Sequence, residues 1–223
     1  MDQKLLVQAL FKFICGLLMA GALIFLPAGT LHYWNGWLLM AVVFAPMPLL
    51  GVILLWKSPE LLRKRLNAKE QKGTQKQVVA LSALMFLAGF VAAGVSFRFG
   101  WLMLPRWISC LAAVFYLLSY ALYAWVLREN AYLSRTVEVQ DGQQVVDTGP
   151  YAIVRHPMYA ATVLLFFSMP LMLGSIAAAA IFLVYFPIIA ARIRNEETIL
   201  AEGLPGYRAY CQRVRYRLIP FIW

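Results

Sequence analysis

Residues 157–191, PMYAATVLLFFSMPLMLGSIAAAAIFLVYFPIIAA, contain no charged side chain, and their reading decides the fold. A helix crossing about 30 Å of hydrocarbon needs roughly 20 apolar residues, so this tract is too long for one span. Pro170 lacks an amide donor, and Gly174 next to Ser175 frees the backbone to turn. The tract therefore reads as two short helices forming a hairpin, which returns the chain to the side of the membrane it left.

Working towards the N-terminus, four further segments reach spanning length: 9–28, 36–56, 78–98 and 107–127. With the hairpin they make six crossings. Composition agrees, since 62% of the residues are hydrophobic and 13% charged. A soluble surface needs about twice that charge. The expected fold class is all-α integral membrane, with about six transmembrane helices, the last two a short hairpin. The first segment lacks a small-x-small cleavage site and is followed by further spans, so it reads as a retained helix, not a signal peptide.

The net charge of +10 is unevenly placed. With the N-terminus inside, every Lys and Arg except Arg98 and Arg106 falls on inner segments or their ends, as the positive-inside bias requires. Topology and anionic headgroups then account for the basic excess without nucleic acid. The expectation is a multi-pass protein whose polar C-terminal region faces the cytosol, in a bacterium from the plasma membrane. Lys12 snorkels at the inner end of the first helix. His32, Tyr33, Trp34 and Trp37 read as an outer aromatic belt. Cys15, Cys110 and Cys211 have no metal-type spacing, and the first two read as small apolar packing residues. No metal site is expected.

The two halves differ. A basic loop at 57–77 carries a short helix opened by Ser58 and Pro59. The second half concentrates polar groups. Between Arg128 and His156 the alternation Thr136, Val137, Glu138, Val139 precedes the turn pair Asp141-Gly142, reading as a small hairpin or extended loop. Beyond 191 come Arg192, Arg194, Glu196 and Glu197, the turn around Gly203 and Gly206, and the amphipathic tail YRAYCQRVRYRLIPFIW, which suits an interface.

Because a hairpin returns to its starting side, Tyr151, Arg155, His156 and Tyr159 at its entry must meet Arg192, Arg194, Glu196 and Glu197 at its exit. The expected result is a cytosolic C-terminal cofactor site. Arg194 and Glu197 fit a role as snorkelling anchors. Pro157 in a first helical turn leaves free amides that favour an anion. Arg192 and Glu196 share a helix face, which suits either a plain surface ion pair or a binding pair.

GPYAIVRHPMYAA, then RIRNEETIL, then YRAYCQRVRYRLIP resembles the isoprenylcysteine carboxyl methyltransferase family over about residues 130–220. The combination of RHPxY, a later EE pair, Y-x-x-Y-x-x-x-V and a closing I-P is the specific part. The four apolar segments make 1–128 a transmembrane scaffold of four helices, and the resemblance implies, over 129–223, a methyltransferase-like cofactor-binding region with terminal hairpin and amphipathic tail. It implies S-adenosylmethionine as cofactor and a lipophilic small-molecule or prenylated methyl acceptor. Cofactor contacts carry over to Val145, Val146, Tyr151, His156, Pro157, Met158, Tyr159 and Glu196, with Glu138 matching across a loop of different length. The catalytic, substrate-holding arginine carries over to Arg192. This chain departs from the pattern in having Ala161 where many relatives have glycine, and a longer turn before Tyr207.

Under that resemblance, a carboxylate acceptor needs no general base, being ionised near pH 7, so the site's task is positioning. Three rival readings stand beside it. One is N-methylation of a phospholipid or other lipid amine, which needs a base such as His156 or Glu197. The second is a membrane reductase using NADPH, since sterol reductases share parts of the C-terminal pattern. The third is a non-enzymatic membrane protein or transporter, which would place polar groups at mid-membrane in paired repeats; these spans read as nearly bare.

Overall fold

A computed structural model describes residues 3–57, 59–66, 73–133 and 139–223. Ten α-helices hold the described chain: α1 (Gln3–Ala28), α2 (Trp34–Phe44), α3 (Pro46–Lys57), α4 (Pro59–Leu66), α5 (Gly73–Phe99), α6 (Arg106–Glu129), α7 (Pro157–Met172), α8 (Ile176–Phe182), α9 (Tyr185–Gly203) and α10 (Tyr207–Arg213). No strand occurs among the described residues beyond an isolated antiparallel bridge between Met103 and Ser175.

Five stretches are long and apolar enough to cross a membrane: Lys4–Ala28, Trp34–Lys57, Lys76–Phe99, Arg106–Glu129 and Ile176–Gly203. These are the signature of a multi-pass membrane protein. The second is not one continuous helix as the sequence suggests. It breaks at Ala45, because Pro46 and Pro48 offer no amide to the carbonyls of the preceding turn. The hairpin is also less symmetric than expected. α8 and α9 run as one span with a short break before Pro187, while α7 has only 16 residues. At 1.5 Å per residue α7 is about 24 Å long, short of the hydrocarbon thickness.

A helix that ends inside the membrane exposes carbonyls with no partner, each costing several kcal/mol in hydrocarbon. Side chains from elsewhere in the chain cap them here. The Tyr33 hydroxyl donates to Leu173 O. Asn35 Nδ2 donates to Met172 O at 2.9 Å and to Ser109 Oγ at 2.8 Å, and Ser109 Oγ donates to Leu171 O at 3.2 Å. Leu104 N donates to Gly174 O at 2.7 Å. Gly174 makes the turn at φ +69, with Asn35 Nδ2 only 3.0 Å from where a Cβ would stand. Ser175 then caps α8 by accepting from Ala178 N at 3.1 Å.

This plug overturns one expectation. Tyr33 is fully buried and stacked on Phe97 at 4.1 Å, so it is not an aromatic-belt residue; His32 and Trp37 are exposed at that level. Cys15 and Cys110 are likewise exposed on their helices, not packed inside. The helix after Pro59 forms as read, and Lys12 Nζ reaches Leu66 O at its C-terminal end, where a cation is favoured. The proposed 136–146 hairpin lies partly outside the described residues. Its described part holds a turn at Asp141-Gly142, closed by Gln143 N to Gln140 O at 3.0 Å, without strands.

Candidate active site

The hairpin ends do meet, and Glu197 is where they join. Its carboxylate accepts from Arg155 Nε at 2.8 Å and Arg217 Nε at 2.7 Å, with His156 Nε2 at 3.3 Å. Reading Glu197 as a snorkelling anchor is therefore wrong: its side chain is 13% exposed and ties hairpin entry, hairpin exit and tail together. Arg155 also donates to the carbonyls of Val214 at 3.1 Å and Arg215 at 3.2 Å. Backbone pairing completes the join, Arg155 N to Tyr216 O and His156 N to Arg217 O, both 2.9 Å. The amphipathic tail is thus folded back as a wall of the site, burying Tyr207, Tyr210, Val214 and Leu218.

Next to this ion cluster sits a second one. The Tyr159 hydroxyl donates to Glu196 and accepts from Arg192 Nε at 2.9 Å. The Arg192–Glu196 pair anticipated on one helix face is therefore linked through a tyrosine of the facing helix, α7. His156 stacks on Tyr159 with centroids 5.6 Å apart. His156 also precedes Pro157 at the first position of α7, so the helix start and the two ion clusters converge.

Both clusters border a cavity of about 960 Å³. Val145, Val146, Tyr151, His156, Met158, Tyr159, Arg192 and Glu196 all line it. Pro157 does not; it is fully buried and sets the start of α7. Glu138 lies outside the described residues. From its polar end the cavity continues between α1, α3 and α5, along Phe13, Phe44, Met47, Leu54 and Phe86. One space therefore joins charged groups to an apolar groove.

The 145–151 segment is held by its own contacts. Thr148 donates to Glu129, and Gly149 adopts φ +54 with the Glu129 carboxyl carbon 3.0 Å from a would-be Cβ, so any side chain there meets both strain and a clash. The Tyr151 hydroxyl accepts from Asn130 Nδ2 at 3.1 Å, and Tyr151 O accepts from the Tyr210 hydroxyl at 2.7 Å.

Sequence reasoning missed Tyr207 as a site residue. It lines the cavity, is 4% exposed, and its buried hydroxyl has no hydrogen-bond partner among the described residues. Burial, reinforced by Cys211, Glu197 and Glu196 against the opposing pull of Arg155, raises its pKa above the ordinary phenol range, so it stays a neutral donor. A buried hydroxyl of this kind, facing the cavity, is available to donate to a molecule bound there. The Y-x-x-Y spacing in the tail was the available signal. The spans are also less bare than expected: Tyr116, Tyr120 and Tyr123 of α6 line the cavity as well. Among the described residues no group of three or more His, Cys, Asp or Glu is placed to hold a metal ion.

The residues present suit S-adenosylmethionine. A carboxylate at Glu196, an unpartnered hydroxyl at Tyr207 and tyrosine faces at 151, 159 and 210 offer partners for a ligand carrying a sulfonium, hydroxyls, an amine and an aromatic base.

Helices α6–α9 coincide with a family match: the family model described as phospholipid methyltransferase matches residues 106–205. The matched region carries two of the five helices long and apolar enough to cross a membrane. Among curated proteins, the chain is 33% identical over 70 residues to the cobalt-zinc-cadmium resistance protein CzcN of Cupriavidus metallidurans, covering 31% of this chain and 32% of that protein. It is 34% identical over 71 residues to the nickel-cobalt-cadmium resistance protein NccN of Alcaligenes xylosoxydans xylosoxydans, 31% of this chain and 33% of that one. It is also 28% identical over 91 residues to the mouse Delta(14)-sterol reductase TM7SF2, 40% of this chain and 22% of that protein. The chain thus spans a third or less of the length of these relatives.

Proposed function

We propose that the protein transfers a methyl group from S-adenosylmethionine to the carboxylate of a lipophilic acceptor, of the isoprenylcysteine type. One observation carries the reading: a single cavity joins the Arg192–Tyr159–Glu196 cluster to an apolar groove between α1, α3 and α5. Such a cavity seats a molecule with a charged head and a hydrocarbon tail.

Val145, Val146, Tyr151, His156, Met158, Tyr159 and Glu196 hold the cofactor, with Tyr207 supplying a further donor. Bound there, S-adenosylmethionine supplies an electrophilic methyl group on a sulfonium. Arg192 orients the acceptor carboxylate; its Nε is engaged by Tyr159, which fixes the plane of the guanidinium. A carboxylate nucleophile needs no base. An amine does, and the two candidates raised by sequence are committed elsewhere: Glu197 accepts from Arg155 and Arg217, and His156 faces Glu197. With Glu197 held by two arginines, the carboxylate acceptor, which asks for no base, is the one we favour over the amine. The basic residues on the inner segments orient this site towards the cytosol.

Two measurements on detergent-purified protein test the reading. Calorimetry should find binding of the methylated and demethylated cofactor and none of NADPH; binding of NADPH alone would turn the assignment towards a reductase. Activity from about pH 6 to 9 should be flat with carboxylate lipids and lost in Arg192→Met. A rate that rises with pH on amine lipids, and survives Arg192→Met, would replace the carboxylate with an amine.

A further inference from the structure

Helix α3 presents two different faces. Leu49, Val52, Ile53 and Trp56 are exposed on one. Met47, Leu50, Gly51 and Leu54, spaced at i, i+3, i+4 and i+7, form the other and line the cavity. Leu50 and Leu54 pack against the cluster that holds Tyr151 and Met158, so this face begins beside the proposed cofactor residues. From Leu54 to Met47 is seven residues, about 10 Å along the helix axis. The stripe therefore leads from the polar centre into the apolar groove.

Gly51 stands in the middle of that stripe, and nothing in the fold asks for glycine there. It lies inside a helix, where glycine is a poor former, and α3 already opens with Pro46 and Pro48. Its backbone is not left-handed. In a membrane helix glycine ordinarily lets a neighbouring element approach closely. Gly36 and Gly94 do so: a Cβ would stand 2.9 Å from the Phe25 ring at the first and 2.6 Å from Ile24 O at the second. A Cβ on Gly51 would meet nothing within 4 Å among the described residues. What this glycine preserves is open space on the cavity face of α3.

An independent feature marks the same cavity as a ligand's seat. At its polar end the Tyr207 hydroxyl, on a side chain 4% exposed, has no hydrogen-bond partner among the described residues. We infer that Gly51 is the throat of the acceptor's tail groove: the missing side chain leaves the passage by which a hydrocarbon tail runs from the polar centre past Leu54 towards Met47 and Phe44. The throat makes the protein selective for acceptors whose tail reaches about 10 Å or more along α3. A shorter tail forgoes contacts beyond Gly51, at about fourfold in affinity for each methylene left out. The inference rests on the cavity being the acceptor's seat, and it makes Gly51 a determinant of acceptor specificity.

The test reads lipid binding without methyl transfer, so its outcome is separate from that of the catalytic reading. Hexanoic and hexadecanoic acid are titrated, in one detergent, into the purified full chain as wild type, Gly51→Ala and Gly51→Leu. Wild type should bind the long acid more tightly. Gly51→Leu should weaken the long acid at least tenfold, the effect of displacing two methylenes, and change the short one by less than twofold. Its melting temperature should not fall, because leucine is the better helix former and its Cβ meets no neighbour. Gly51→Ala should lose less than Gly51→Leu. Gly94→Ala, by contrast, should melt lower; a Gly94→Ala variant that melts like wild type overturns the contrast between the two kinds of glycine. Unchanged affinity of Gly51→Leu for the long acid overturns the throat. Equal losses in Gly51→Ala and Gly51→Leu also overturn it, in favour of backbone freedom, as do equal losses for the two acids. Arg192→Met should weaken both acids alike; if it weakens neither, the carboxylate reading falls while the throat stands on the tail-length dependence. If wild type binds neither acid, the carboxylate reading falls and the same two tails are titrated as primary amines; no binding there overturns the throat as well.

Discussion

Glu197→Gln removes one charge from the join between hairpin and tail, and the structure sets the size of the effect. The carboxylate takes 2.8 Å and 2.7 Å bonds from Arg155 and Arg217, whose side chains are 8% and 36% exposed. Removing one member of a buried ion pair costs about 3–5 kcal/mol, because the other charge stays buried. Arg155 keeps its bonds to the carbonyls of Val214 and Arg215, and a glutamine oxygen still accepts one hydrogen bond, so the low end applies. The Arg217 contact is more exposed and adds little. The expected loss is about 3 kcal/mol, which at about 2–4 °C per kcal/mol for a chain of this length lowers Tm by roughly 6–12 °C. Thermal unfolding in detergent measures it. Arg213→Ala is the internal control: its pair with Asp147 is also 2.7 Å, but the side chains are 66% and 39% exposed, so Tm should barely move. The tail supplies Tyr207 and Tyr210, so Glu197→Gln should also weaken cofactor binding, and Arg213→Ala should not. A Glu197→Gln variant that melts like Arg213→Ala would refute the reasoning and return Glu197 to the surface role its sequence context suggests.

Glu196→Gln keeps an oxygen to accept from Tyr159 but removes the charge, so cofactor affinity should fall by about 1–3 kcal/mol with the fold intact; calorimetry that finds unchanged affinity would remove Glu196 from the cofactor site. Asn35→Leu strips Met172 O and Ser109 Oγ of their donor at the end of α7, a loss of about 1–3 kcal/mol. A detergent melt should show it, while the distant cofactor site keeps its affinity; equal stability of the Leu variant would mean that α7 is not capped this way.

The sequence alone determined the class of molecule and which polar groups the hairpin brings together. Apolar runs of spanning length need no tertiary information to be recognised, because the bilayer fixes how long such a run must be. A charge-free tract broken at Gly174 and Ser175 similarly fixes a hairpin, and a hairpin brings Tyr159 and His156 back to Arg192 and Glu196. Three-dimensional packing decided the rest. Glu197 and Arg194 are equivalent as boundary charges in one dimension, and only the folded-back tail, bringing Arg217 to 2.7 Å, makes Glu197 a hub. Tyr33 looks like a belt aromatic until the early end of α7 exposes a carbonyl for it to cap. The spans read as nearly bare until the cavity is seen beside Tyr116 and Tyr120. In each case the sequence names a group that can donate or accept, while the partner comes from a helix far along the chain, and no local period or spacing encodes that meeting.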